Sequence, residues 1–391
     1  MTDGYFSEEH EEFREVAREF NEREVAPHYA EWDEKHMMDR SVWTAAAEAG
    51  LVGLAIPEEF GGMGLTDYRF RAVMDEEFVR AGHMALGLAL HLHDDWVLPH
   101  ILAYGTQEQK TRWLPGMLSG ELVTSVAFTE PGAGSDLRGV RAKAVRNGDH
   151  YVLNGQKTFI GNGISGDAAL VLARTDGGKG RGSRDSFSLF LVEKKDHKGY
   201  TAGNQLDKMG LKASDTAELF FDDVEVPAAN LIGEEGKGLD YVVEQLPQGR
   251  LAIAVAAVAV GKGVLAETVE FTSSRNVFGE RVLDFQNTQF ELAELSAELE
   301  ASEAYVQRAI ERFNAGELDA VAASKVKLQA GSMAKDLVDR CLQLHGGFGY
   351  IVESSVAQAY MAVRLLTIFG GTNEILKDTV GRSIAASVKE G

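Results

Sequence analysis

The sequence predicts an α+β chain in which helices, a small antiparallel β-barrel and helices again follow one another. Three observations carry this. Residues 1–122 are Ala-rich and amphipathic at helical spacing, without sustained strand-like alternation. Residues 123–233 break into short β-prone runs separated by turn signals. In 234–391 Ala, Leu, Glu and Lys dominate, and Pro247 is the only proline.

Each segment has its own pattern. Phe6, Phe13, Val16, Ala17 and Phe20 mark the apolar stripe of a first helix. Pro57 and Phe60-Gly61-Gly62-Met63-Gly64 mark a loop. Strands are expected over 123–128, 141–145, 150–153, 169–174, 186–192 and 217–221, with turns at Asn147-Gly148-Asp149 and Asn154-Gly155. Gly177 to Ser183 reads as a flexible surface loop. The strands are too short and meandering for βαβ units, so a barrel is expected.

Bulk properties narrow the function. A chain of 391 residues, 45% hydrophobic, can build two or three cores. Sixty acidic against 39 basic residues leave a formal charge of −21, which argues against a nucleic-acid partner because phosphates need a basic stripe. The single Cys341 permits no internal disulfide and fits a reducing cytoplasm. The acidic N-terminus lacks a signal-peptide pattern. The most apolar run, Leu251 to Val260, is too short to span a membrane.

Several Gly-rich motifs occur in order. Phe128-Thr129-Glu130-Pro131-Gly132-Ala133-Gly134-Ser135-Asp136 ends the first strand, and its glycines let backbone approach a flat or phosphorylated ligand. It lacks the third glycine and following helix of a dinucleotide fingerprint. Gln156-Lys157-Thr158-Phe159-Ile160-Gly161-Asn162-Gly163, Arg275-Asn276-Val277-Phe278-Gly279, Gln343-Leu344-His345-Gly346-Gly347-Phe348-Gly349-Tyr350 and Gly371-Thr372-Asn373-Glu374-Ile375 follow. Together they resemble the acyl-CoA dehydrogenase family over essentially the whole chain. Gln245-Leu246-Pro247-Gln248-Gly249-Arg250-Leu251 resembles its long-chain and isovaleryl-type members most.

The resemblance implies an N-terminal helical domain (1–122), a central β-barrel (123–233) and a C-terminal four-helix bundle (234–391). It also implies FAD, an acyl-CoA or acyl-carrier-protein substrate, electron transfer flavoprotein as acceptor, and a homo-oligomer, dimeric or tetrameric. By position, Phe128, Thr129 and Gly161 lie at the flavin ring, Phe159 stacks on it, and Ser135 binds cofactor or thioester. Arg275, Phe278, Gln286, Gln343 and Gly347 meet the ADP half, partly across a subunit boundary. Thr372 and Glu374 reach the pyrophosphate or ribose.

In the resembling family a carboxylate removes the α-proton while the flavin takes the β-hydrogen as hydride. That carboxylate stands at position 370 or 249. Here both are glycine, beside Arg250. Gly161 replaces the usual Thr or Ser. Two glycines at the ring are expected to leave room and remove polarity. Glu244 is the nearest acid to position 249, but points about 140° away around a helix. Gln245 faces the right way without being a useful base, and Pro247 is expected to bend the helix between them.

The remaining base candidates lie in Leu90-His91-Leu92-His93-Asp94-Asp95-Trp96. His91 and Asp95, four apart, share a helix face, and an Asp-oriented His can act as general base. Asp94 is a second acceptor if the proton lost lies beyond Cβ. No metal site is expected, since His91 and His93 diverge by about 200° on a helix. Three functions compete: a dehydrogenase with relocated base or unusual regiochemistry, a flavin monooxygenase or oxidase on the same scaffold, and a silent flavin-binding subunit.

Overall fold

A computed structural model of the protein describes residues 4–175, 183–196 and 198–388. The loop expected from Gly177 onward lies outside the described residues up to Ser183. The N-terminal helices run Glu8–Phe20, Tyr29–Lys35, Ser41–Glu48, Arg69–Arg80, Met84–His91, Leu98–Tyr104 and Gln107–Leu118. Glu8, Glu9 and Glu11 in the first turn and Arg18 in the last complement the dipole of the first helix. Between His91 and Leu98 the helix widens into a π-helical turn over Leu92–Val97. Such turns re-aim side chains and gather at functional sites.

Eight strands follow: β1 Thr124–Ala127, β2 Lys143–Asn147, β3 His150–Gly161, β4 Ala168–Arg174, β5 Phe187–Glu193, β6 Tyr200–Gln205, β7 Thr216–Pro227 and β8 Leu231–Ile232. They form one sheet in the order β6-β7-β3-β2-β4-β5-β8, with β1 beside β4. The expected closed antiparallel barrel is thus an open, mixed sheet. β1 runs parallel to β4, as does β2 at one pair, and the ends β6 and β8 do not pair with each other. Asn154-Gly155 is not a turn but a bulge inside β3, where the register slips between Leu153 and Gly155. A Cβ at Gly155 would stand 2.6 Å from that of Ala142, so the crossing strand demands glycine.

Helices Gly238–Ser274, Gln286–Asn314, Ala320–His345 and Ser355–Leu366 make the bundle, and a fifth, Asn373–Ser387, packs on the third. The apolar run at 251–260 belongs to a helix of 37 residues that is long and apolar enough to cross a membrane by composition, yet 61% of its apolar window is buried in the fold. That helix continues through Pro247. Separate apolar cores sit in the N-terminal helices, the sheet and the bundle.

Candidate active site

The cleft between sheet and bundle is built from residues far apart in sequence. Phe128, Thr129 and Ser135 come from the loop after β1, Phe159 and Gly161 from the end of β3, Arg250 from the long helix, and Gly370 from the loop before the last helix. All line one cavity of about 430 Å³. Phe159 sits at a second bulge of β3 in the left-handed region (φ 59°) and is 71% exposed. A left-handed aromatic residue projecting into a cleft is strained and unshielded, and a flat ring stacked on it fits both facts.

Buried charge holds the loop after β1 in place. Lys157 Nζ, fully buried, donates to the carbonyls of Phe128 (3.2 Å) and Leu172 (2.7 Å) and to Glu130 (2.8 Å). Glu130 also accepts the backbone N–H groups of Arg141 and Ala142. Burial pulls the Lys157 ammonium down to about 8, with Glu130 opposing it.

Across the cleft, Arg250 donates to the Gly370 carbonyl (3.3 Å) and Ser324 Oγ (2.9 Å), and Lys327 donates to the Gly371 carbonyl (2.7 Å). Burial lowers Arg250 to about 10. Burial, then Arg250, lowers Lys327 to about 8. Lys327 escaped the sequence reading. Its signal is a lysine on the apolar face of the helix formed by Ala323, Val326 and Ala330.

The two glycines that stand for the missing carboxylate do not leave room. A Cβ at Gly249 would lie 2.4 Å from Trp96 Cε2, and one at Gly370 would lie 3.5 Å from Trp96 Cζ2. The Trp96 indole therefore fills the space both positions share. Gly370 also has φ 65°, and a Cβ there would strike Ile253 Cδ1 at 2.3 Å. Gly161 is filled in the same way, by Leu92 Cδ1 at 2.4 Å. Leu92 and Trp96 begin and nearly end the π-helical turn Leu92–Val97. The room expected at the ring is occupied by hydrocarbon.

The structure places the candidate bases elsewhere. His91 is buried with both ring nitrogens engaged, Nδ1 with Asp95 (2.5 Å) and Nε2 with Asp75 (2.9 Å). Burial lowers its pKa, but the two carboxylates outweigh burial and raise it to about 9. An imidazolium with both N–H groups donated has no lone pair for a substrate proton. Asp94 accepts from the Gly53 N–H (3.1 Å) and pairs with Arg71. Asp94 and Asp95 line a different cavity, with Arg71, Gln245 and Gln248. The Gln245 amide donates to Tyr104 (3.1 Å), so it turns from the cleft, and Glu244 accepts from the same hydroxyl (2.6 Å). His93 points away from His91, against Thr124 and the Met117 carbonyl.

The raised His91 pKa has a measurable consequence. Its stabilisation by Asp75 and Asp95 is full below pH 6.5, the range of a free imidazole, and is lost as pH rises through about 9. Arg71, 3.5 Å from Asp95, and Gln248 also face this group. Denaturation midpoints should fall between pH 6.5 and 9.5 in the native chain, and the slope should flatten in His91→Gln.

The residues expected at the ADP half lie apart from this cleft. Arg275 and Gly347 line a second cavity with Phe271, His345 and Phe348. Phe278, left-handed at φ 52°, is fully exposed at the tip of a two-stranded hairpin, and Gln286 and Gln343 are exposed nearby in sequence. Thr372 caps the last helix by accepting from the Ile375 N–H, and Glu374 lies in its first turn.

Family models of the acyl-CoA dehydrogenase N-terminal, middle and C-terminal domains match residues 7–121, 125–224 and 236–385. The chain belongs to the acyl-CoA dehydrogenase family. The mitochondrial long-chain specific acyl-CoA dehydrogenase of Sus scrofa is 42% identical over 97% of this chain and 87% of its own length. The crystal structure of an acyl-CoA dehydrogenase from Geobacillus kaustophilus superposes with a TM-score of 0.94 at 42% identity, covering 98% of this chain and all of that one. An acyl-CoA dehydrogenase of Bacillus anthracis solved with FAD superposes at a TM-score of 0.91 and 32% identity, over 100% of this chain and 69% of that one. The protein is therefore an FAD-dependent oxidoreductase of CH–CH groups. Positions 249, 370 and 161 are packed by the hydrocarbon of Trp96, Ile253 and Leu92.

Proposed function

We propose that this acyl-CoA dehydrogenase family member desaturates acyl thioesters without a carboxylate opposite the cofactor ring. The observation that carries this reading is the Trp96 indole in the space shared by positions 249 and 370. Bound FAD supplies the two-electron acceptor. Phe159 offers the ring a stacking face, and the loop of Phe128 and Thr129, tied down by Lys157, flanks it. Arg250 and Lys327 hold the Gly370-Gly371 backbone and set a positive potential that favours anionic groups of cofactor or thioester. Leu92 and Trp96 exclude water.

Among the described residues lining the cleft, Asp136 is the only acid, and it is exposed beside Ser135 and Arg138. Ordinary saturated acyl-CoA esters are then slow substrates. The productive ones make their own C–H acidic, or lose a proton beyond Cβ. The thioester carrier is CoA or an acyl carrier protein, and electron transfer flavoprotein is the expected acceptor. The oxidase reading draws no support from Gly161, because Leu92 closes the space there.

Helix length supports a homo-oligomer. Position 249 and Arg275 lie 26 residues apart along one helix and its end, hence about 39 Å. That exceeds the reach of one extended FAD. The ring site of one subunit and the exposed Phe278 hairpin of another would complete each site.

Proton exchange tests the reading. The flavin-loaded protein is incubated anaerobically with hexanoyl-CoA in deuterium oxide, and C2 deuterium is followed by mass spectrometry. Exchange no faster than the uncatalysed background is expected, since general-base catalysis is worth roughly 10²–10⁴ in rate. Rapid enzyme-dependent incorporation at C2 would defeat the proposal.

A further inference from the structure

Beyond Trp96 lies a second, narrower cavity walled by Phe78, Leu88, Ile253 and Phe369, and shared with the cleft through Trp96 and Phe369. Among the described residues its wall is apolar except for Asp75, His91 and the indole of Trp96, whose N–H is also buried without a hydrogen-bond partner. Asp75 is 2% exposed. Its Oδ2 accepts from His91 Nε2, while its Oδ1 is buried without a hydrogen-bond partner among the described residues. His91 has no further N–H to offer, because Nδ1 is held by Asp95. Gly87 lines the cavity beside this oxygen, and a Cβ there would lie 3.7 Å from it.

A buried carboxylate oxygen without a donor is costly, more so than a neutral acceptor. The surrounding charges do not relieve it. The three acids Asp75, Asp94 and Asp95 share the two bases Arg71 and His91, and neither base donates to Oδ1. A plain hydrocarbon chain in this cavity would set CH groups against that oxygen.

We infer that Asp75 Oδ1 recognises a hydrogen-bond donor, a hydroxyl or amino group, carried on the acyl part of the thioester. This rests on the acyl-thioester reading above and narrows its substrate class. The cavity encloses about 60 Å³. That is space for roughly four to six water-sized groups, so the acyl part is short. His91 is a positioning residue here: it fixes Asp75 by one oxygen and leaves the other free.

The experiment titrates flavin-loaded protein anaerobically with CoA thioesters of four to eight carbons, read by the perturbation of the visible flavin spectrum. Each length is compared as the plain acyl, ω-hydroxyacyl and ω-aminoacyl ester. A donor-bearing ester should bind at least about tenfold tighter than its plain counterpart, as one charge-assisted hydrogen bond provides. Preference in the hydroxyl arm identifies a neutral donor, and preference in the amino arm a cation.

Two variants test the site. Asp75→Asn removes the charge. Gly87→Ala sets a methyl over Oδ1 at ordinary contact distance, 3.6 Å from Phe78, and should fold. Gly87→Ala should abolish the preference in both arms, and Asp75→Asn in the amino arm. Equal affinity of substituted and plain esters at every length, or a preference that survives both variants, overturns the inference. If no thioester perturbs the flavin, the acyl-thioester reading itself fails, and that outcome is separately visible.

Discussion

Gly249→Glu alone is expected to leave flavin bleaching by hexanoyl-CoA as slow as in the native chain, and to destabilise the fold by about 1–3 kcal/mol. Removing a helical glycine ordinarily gains up to about 1 kcal/mol. Here the new Cβ would meet the Trp96 ring at 2.4 Å, well inside contact distance, so overpacking outweighs propensity. The double variant Trp96→Val/Gly249→Glu should behave differently. With the indole gone, the carboxylate has space, and bleaching should accelerate by roughly 10²–10⁴. Gly370→Glu with Trp96→Val is the control and should fail, because the left-handed backbone and Ile253 remain. Rapid bleaching by Gly249→Glu alone would mean that Trp96 moves aside freely, and would remove the indole from the argument.

Lys157→Met is expected to cost about 3–5 kcal/mol in stability and to release FAD during desalting. The substitution is close in volume, so packing changes little. It strands Glu130, which keeps two backbone donors but loses its ion-pair partner Lys157. It also frees the carbonyls of Phe128 and Leu172. The loop beside the ring site then keeps only backbone-donated bonds at its base, to Glu130 and to the Thr129 carbonyl, among the described residues. Adding Glu130→Gln should recover part of the loss, since the stranded charge is then gone. Unfolding within about 0.5 kcal/mol of the native chain, with flavin retained, would show that the buried pair does not set this loop.

Much of the site was legible because its chemistry is carried by short contiguous motifs. The family resemblance those motifs carry implies that Phe128, Thr129, Ser135 and Phe159 gather at the cofactor ring and that Arg250 serves the substrate, and they line one cavity. What fills the glycines was not legible. Leu92 and Trp96 reach Gly161 and Gly249 across the chain, and only the π-helical turn aims them there. An ideal helical wheel also misled at Gln245, whose amide is captured by Tyr104. Asn154-Gly155 reads as a turn by local preference, yet Ala142 crossing beside Gly155 makes it a bulge. The strand β6 lacked any signal, since Thr201-Ala202-Gly203-Asn204 is polar or small and gains its place by pairing with β7.

The parallel pairing of β1 with β4 has a bearing on how the chain assembles. Neighbouring hairpins such as β2 with β3 can zip as soon as they are made, but β1 must wait until Ala168 to Val171 present an edge to it. Non-local pairing of this kind is slow to nucleate. Since β1 leads directly into Phe128 and Thr129, a chain leaving the ribosome gains a competent nucleotide pocket only after its middle third has closed, which makes cofactor capture a late event in biogenesis.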